Sequence, residues 1–102
     1  MATANPNGYR RNLLFPIGAL IFSGGLDRLL REGRIEPIPY LQRHTRGDWG
    51  DVSDEGWQAN NDALRFGARL ESFYVIHREL SIRIVTESDR SATHILLAAE
   101  QI

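Results

Sequence analysis

The chain has 102 residues, of which 42% are hydrophobic and 25% charged, as is typical of one globular domain with a single core. A formal net charge of -1 gives no long-range positive field, so we expect no direct nucleic-acid or membrane partner. There is no cysteine and all 12 basic residues are arginine, which excludes disulfides, thiolate chemistry and Schiff-base lysines and suits a cytoplasmic location.

The N-terminal part of the chain predicts a flexible segment followed by a strand. Residues 1-12 are rich in turn-forming types and show no periodicity, and we expect residues 1-17 to be a flexible N-terminal extension ahead of a single domain over residues 18-102. The apolar run from Gly18 to Phe22 then stands between a proline and a pair of glycines. Such a short, bounded run predicts a buried strand.

Three helices are predicted next, each marked by residues that start or end it. Serines that can cap a helix N-terminus precede the first and the third, and two prolines that suit only a first turn open the second. Glycines are placed to end the first and the third. The helices are expected after Ser23 up to Gly33, from about Pro37 to about His44, and after Ser53 to about Phe66.

The last third of the chain predicts a three-stranded meander. Its middle strand alternates, with Leu80, Ile82 and Ile84 on one face and polar residues on the other. The neighbouring strands are expected over residues 70-77 and 92-98, joined by hairpin turns. The order β-α-α-α-β-β-β predicts an α+β fold, a mostly antiparallel sheet of about four strands with helices on one face.

Residues 43-51, which we call the first motif, form the densest polar segment, and two interpretations of it stay open. His44 with the carboxylates of Asp48 and Asp51 could form an acid-base or metal site, but no further ligand on a rigid element is evident. Alternatively, the segment is a structured loop closed by an arginine-aspartate salt bridge, with Trp49 buried as its plug. We expect no metal and no cofactor.

A second polar cluster follows the middle strand of the meander, and we call residues 86-93 the second motif. Glu87, Asp89 and Arg90 stand at a predicted hairpin tip, where they could bind a partner. Aspartate and serine in turns also bond to their own backbone, so local structure is the alternative explanation.

Both motifs together resemble a known family. The resemblance lies in Arg-His-x-x-Gly-Asp-Trp-Gly at residues 43-50 and Thr-Glu-x-Asp-Arg-Ser-Ala-Thr at residues 86-93. Between and after them, the matching residues are Asn61, Ala63, Leu64, Gly67, Arg69, Ser72, Tyr74, Ile84, Val85, Leu96 and Leu97. This pattern, over roughly residues 18-98, resembles small proteins carried on plasmids, phages and integrated elements, variously labelled plasmid-related protein or type I restriction subunit M.

The resemblance implies a setting for the protein and not an activity. The methyltransferase label does not fit, because the sequence has neither a glycine-rich cofactor loop nor an Asn-or-Asp-Pro-Pro-aromatic motif. Small accessory proteins of mobile elements often inhibit host defence, so we expect a non-enzymatic protein that binds a CRISPR effector or a restriction complex. The expected partner contacts are Arg43, His44, Arg46, Asp48, Trp49, Asp51, Glu87, Asp89 and Arg90.

Two other classes of function remain open from the sequence. One is a small metal-dependent hydrolase or nuclease that uses His44 with Asp48 or Glu87. The other is a structural homodimer joined through the edges of its sheets.

Overall fold

Four strands and three helices follow one another in the predicted order in the computed structural model, which describes residues 13-102. They are β1 (Ala19–Phe22), α1 (Gly24–Arg31), α2 (Ile38–Thr45), α3 (Asp54–Phe66), β2 (Leu70–His77), β3 (Leu80–Thr86) and β4 (Ala92–Leu97). The strands form one sheet in the order β1-β4-β3-β2, in which β1 pairs parallel with β4 and the other pairs are antiparallel. The predicted α+β class and meander are confirmed.

The helix ends carry the signals that the sequence predicted. Ser23 and Ser53 accept hydrogen bonds from the backbone N–H groups of Leu26 and Gly56, at 3.1 and 3.0 Å, and so pair donors that a helix leaves unbonded. The third helix ends at Gly67, whose φ of 74° suits glycine. None of the helices within residues 13-102 is long and apolar enough to cross a membrane.

All three helices pack on the same face of the sheet, which we call the covered face. The strand register places the side chains of Leu70, Tyr74, Ile82, Ile84 and Ile95 on this face. Leu26 of α1 and Leu41 of α2 pack against its centre, and Ala63 of α3 packs against Leu70 at one end. The opposite face, which we call the open face, carries no helix among the residues described here.

The packed structure begins earlier than the sequence predicted. Phe15 is only 6% exposed and stacks on Trp49, with ring centroids 6.2 Å apart. Residues 13-17 therefore belong to the domain. The sequence did not reveal this, because an isolated apolar residue such as Phe15 can fill a place in the core without producing any periodicity. The rest of the predicted extension, residues 1-12, lies outside the described residues.

The first strand is also placed differently from the prediction. β1 lies at the edge of the sheet, and Leu20 and Ile21 are 37% and 43% exposed instead of buried. An apolar run does not encode where its strand stands in a sheet, because that position depends on which strands pair. β1 is therefore an exposed apolar edge strand.

Candidate functional site

A chain of buried hydrogen bonds joins the first motif to the second. His44 of α2 is fully buried, with its Nδ1 2.5 Å from the Ser72 Oγ and its Nε2 2.9 Å from the Thr86 Oγ1. The Thr86 Oγ1 lies 2.8 Å from the Thr93 Oγ1, which donates to the backbone oxygen of Ile17 at 2.8 Å. The two motifs therefore meet in the core of the protein and not at its surface.

The last acceptor of this chain sets the direction of the hydrogen bonds from Ile17 back to His44. The carbonyl of Ile17 can only accept, so Thr93 donates to it and must itself accept from Thr86. Thr86 then accepts from the Nε2–H of His44. Because burial lowers the pKa of His44 to about 3, Nδ1 carries no proton at pH 7 and accepts from the hydroxyl of Ser72. His44 is thus a neutral imidazole with both nitrogens bonded.

The surroundings of His44 keep it neutral. Burial, with a smaller contribution from the positive charge of Arg90, lowers the pKa of His44 from 6.5 to about 3. Phe15 and Trp49 close over the ring in edge-to-face contacts, with centroids 5.3 and 5.5 Å away. His44 acts as a buried hydrogen-bonding residue, so the expectation that it contacts a partner is not supported by its position.

The pair His44 and Asp48, on which the metal-dependent alternative was based, does not assemble. The imidazole bonds to two hydroxyl groups, whereas the carboxylate of Asp48 bonds to Arg43. Within residues 13-102, no three histidine or carboxylate side chains are grouped so that they could hold a metal ion.

Trp49 is the hydrophobic plug of its loop. Its side chain is fully buried and its Nε1–H donates to the Oδ1 of Asn61 at 3.0 Å. A buried indole whose only polar group is bonded has no atom left for a partner. The structural interpretation of the loop is therefore the right one for this residue, and Trp49 is not a surface contact.

Arg90 is partly exposed and bonds to the C-terminal end of α3. Its guanidinium donates to the backbone oxygens of Ala68 at 2.6 Å and Ala63 at 3.2 Å, which lie at the C-terminal end of α3, and to that of Glu87 at 3.1 Å. It also lies over the ring of Phe15, 5.6 Å from the centroid. A cation is favourable beside the C-terminal end of a helix, so Arg90 holds α3 against the second motif.

Arg43 and Asp48 form the predicted salt bridge that closes the loop. The Arg43 Nε lies 2.8 Å from one carboxylate oxygen of Asp48, and its Nη2 lies 3.3 Å from the other. The hydrogen bond from Arg43 lowers the pKa of Asp48. Tyr74 supports both partners, because its hydroxyl donates to the Asp48 backbone oxygen at 2.7 Å and its ring lies under the guanidinium.

The rest of the first motif covers the outer edge of β2. The N–H of Phe73 donates to the backbone oxygen of Trp49 at 3.1 Å, and the N–H of Asp51 donates back to Phe73 at 2.6 Å. The carboxylate of Asp51 accepts from the N–H of Val75 at 3.0 Å. Gly50 has a φ of 79°, and a Cβ there would lie 2.2 Å from the Phe73 oxygen, so this contact requires glycine.

Asn60 continues the cover along the same edge. Its amide donates to the backbone oxygen of Glu71 at 2.8 Å and accepts from the Glu71 N–H at 3.0 Å, as a neighbouring strand would. An unpaired strand edge is a template for pairing with other chains. The protein closes the β2 edge with its own side chains and loop, which disfavours a homodimer through this edge.

Replacing Asn60 with alanine is expected to destabilise the fold by about 2 kcal/mol, because both backbone groups of Glu71 lose their partner. The matched control is Gln58→Ala on the same helix, whose exposed amide bonds only to Asp62 and should cost at most about 0.5 kcal/mol. Urea denaturation measures both variants. Equal costs would show that the Asn60 amide does not hold the edge.

Seven of the nine predicted contact residues are at least partly exposed. Glu87 pairs with His94, with 3.2 Å between the carboxylate and the Nε2, and Asp89 accepts from the N–H of Ser91 at 3.0 Å. The hydrogen bonds from Ser91 lower the pKa of Asp89. The surface-accessible members of the set are Arg43, Arg46, Asp48, Asp51, Glu87, Asp89 and Arg90.

The open face carries a hollow that sequence reasoning missed. It has a volume of about 260 Å³ and is lined by Ile21, Ser23, His94, Leu96, Gln101 and Ile102. Leu96 is buried at its floor, whereas Ile21 and Ile102 are 43% and 58% exposed. The sequence did contain a signal for this hollow, because residues 95-97 are all apolar. In a strand with one face in water, apolar and polar residues alternate instead.

Comparisons of this chain with protein-family models, curated proteins and solved structures found no significant match. The geometry defines a small α+β domain in which two polar motifs build the internal framework. The surface of that framework offers exposed charged groups on its loops, an apolar edge strand and a hollow beside it.

Proposed function

We propose that this protein is a non-enzymatic binding protein that attaches to a CRISPR effector or a restriction complex in the cytoplasm and blocks it. The position of His44 carries the first half of the proposal. The group best suited to acid-base chemistry at neutral pH is buried with both nitrogens bonded, so it serves the fold. The resemblance of both motifs to mobile-element proteins supports the choice of target.

The rigid framework supports a binding role further. Hydrogen bonds hold the first motif on the sheet edge and hold α3 against the second motif. Loops fixed on a rigid scaffold lose little conformational freedom when they bind, which favours recognition. With a net charge of -1, recognition depends on shape and on local pairs of charges instead of long-range attraction.

A plating assay tests this function. Cells with an active CRISPR effector or restriction enzyme are infected with a phage that the system targets, with and without the full chain. The chain is expected to raise the plating efficiency towards that of cells without the defence system, and to co-purify with the effector. Unchanged plating across the tested systems, together with no co-purification, would overturn the proposal.

A variant at His44 separates binding from catalysis. His44→Gln removes the imidazole while its amide can still donate to Thr86, so a folded variant should protect the phage as well as the wild type does. Circular dichroism checks that the variant folds. Loss of protection by a folded His44→Gln protein would instead point to chemistry at the imidazole.

A further inference from the structure

We propose that the partner docks as an extended strand along the free edge of β1 and places an apolar side chain in the hollow beside it. This inference rests on the proposed function, because it specifies how the partner protein is held. The occupant is an extended loop or terminus of the partner, recognised by its backbone and by one aliphatic or aromatic residue. Such strand addition is a recurrent way in which proteins bind extended segments.

The backbone of β1 offers the hydrogen-bonding groups that such a strand needs. The N–H groups of Ala19 and Ser23 donate to the backbone oxygens of Ser91, just before β4, and of Ile95 in β4, both at 3.0 Å. In a parallel pair, alternate residues turn their backbone towards the neighbour, so the N–H and C=O of Leu20 and Phe22 point away from β4. Within the described part of the chain, no strand pairs with that side.

The two edges of the sheet differ in whether their outward backbone groups are bonded. Along β2, the backbone groups of Glu71, Phe73 and Val75 are bonded by Asn60 and the first motif. Proteins usually protect an exposed edge with charges, proline or a bulge, yet β1 reads Ala-Leu-Ile-Phe in an unbroken register. The edge that could recruit a strand is therefore the β1 edge.

The hollow defines the side chain that the partner supplies. A residue paired beside Ile21 points its side chain to the open face, as Ile21 itself does. There it meets the buried Leu96 and the exposed Ile102. The apolar residues of this lining favour an uncharged apolar side chain, because a charged one would lose part of its water beside them.

A second copy of the chain fits this edge less well. Four residues make a strand about 13 Å long at 3.3 Å per residue. A stable dimer buries about 800 Å² on each partner, which is more than so short an edge presents. A partner segment that continues past β1 and fills the hollow adds the missing contact.

Peptide selection tests the docking mode directly. A display library of random extended peptides is selected against the full chain, and the affinities of enriched synthetic peptides are measured by calorimetry. Leu20→Pro removes an outward N–H where an edge strand tolerates proline, and Ile21→Glu puts a charge beside the hollow. Each should weaken binding about tenfold or more, as expected for a lost hydrogen bond or a buried unpaired charge.

Two controls leave the tested features of β1 and the hollow intact. Leu20→Ala retains the N–H, and Val75→Glu puts the same charge on an apolar residue, 53% exposed, at the other edge of the open face. Both should leave the affinity close to that of the wild type. The inference fails if no peptide is enriched, if Leu20→Pro and Ile21→Glu bind like the controls, or if β1 joins two copies in a dimer that Ile21→Glu dissociates.

The same variants separate this inference from the proposed function. If the wild type protects phage and folded Ile21→Glu protects equally well, the docking mode is wrong while the function stands. If the wild type protects against no defence system, the function is wrong, and the peptide affinities still decide whether β1 accepts a strand.

Discussion

Replacing Trp49 with alanine is expected to lower the free energy of unfolding by about 4 kcal/mol, the largest effect of any single substitution considered for this chain. The indole is fully buried, stacks on Phe15, contacts the ring of His44 and bonds to Asn61. Its removal leaves a cavity at the point where the first motif, the N-terminal segment and α3 meet. Urea denaturation at neutral pH measures the effect.

The other tryptophan provides the matched control. Trp57 lies in α3, where it is only partly buried and packs at the margin of the same cluster. Trp57→Ala should therefore cost less than half as much as Trp49→Ala. If the two substitutions destabilise the protein equally, Trp49 is not the plug on which the framework depends.

The second large effect is a loss of stability in acid that comes from His44. Its pKa is about 3 in the folded protein, whereas the ordinary value is 6.5. Between these two pH values the unfolded chain binds a proton at His44 and the folded chain does not. The contribution of the neutral His44 to the stability is complete above pH 6.5 and declines as the pH falls towards 3. Between pH 7 and pH 5, the free energy of unfolding should decrease by about 2 kcal/mol from this residue alone.

The comparison with His44→Gln isolates this contribution. Glutamine does not titrate, so the difference in unfolding free energy between variant and wild type should shrink by about 2 kcal/mol over the same interval. The pKa values of Asp48, Asp89 and Glu100 are also lowered, but these carboxyl groups change the stability only as the pH falls below the ordinary pKa of a carboxyl group. A difference that stays constant from pH 7 to pH 5 would mean that His44 is not held neutral.

Local signals in the sequence were sufficient to predict the helices and strands. Ser23 and Ser53 act as helix caps, Gly67 ends α3, and the alternation around Ile82 and Ile84 marks a strand with one buried face. These features depend on neighbouring residues, so a single sequence reveals them. The Arg43–Asp48 salt bridge was predictable for the same reason, because its partners are five residues apart.

Contacts between distant segments could not be predicted in this way. The bonds from His44 to Ser72 and Thr86 span 28 and 42 residues, and nothing local indicates that an imidazole will be buried between two hydroxyl groups. The same limit explains why the burial of His44 and the bonds from Arg90 to the end of α3 were not predicted. Charged and aromatic residues in a motif look alike whether they serve a surface or build the framework behind it.

Amide hydrogen exchange in the free, full-length protein tests the central claim most directly, which is that the chain closes the β2 edge and leaves the β1 edge open. The amides of Glu71, Phe73 and Val75 should exchange slowly, because the protein's own groups accept their hydrogen bonds. The amides of Leu20 and Phe22 should exchange rapidly. Slow exchange at Leu20 and Phe22, or rapid exchange at Phe73, would contradict the account.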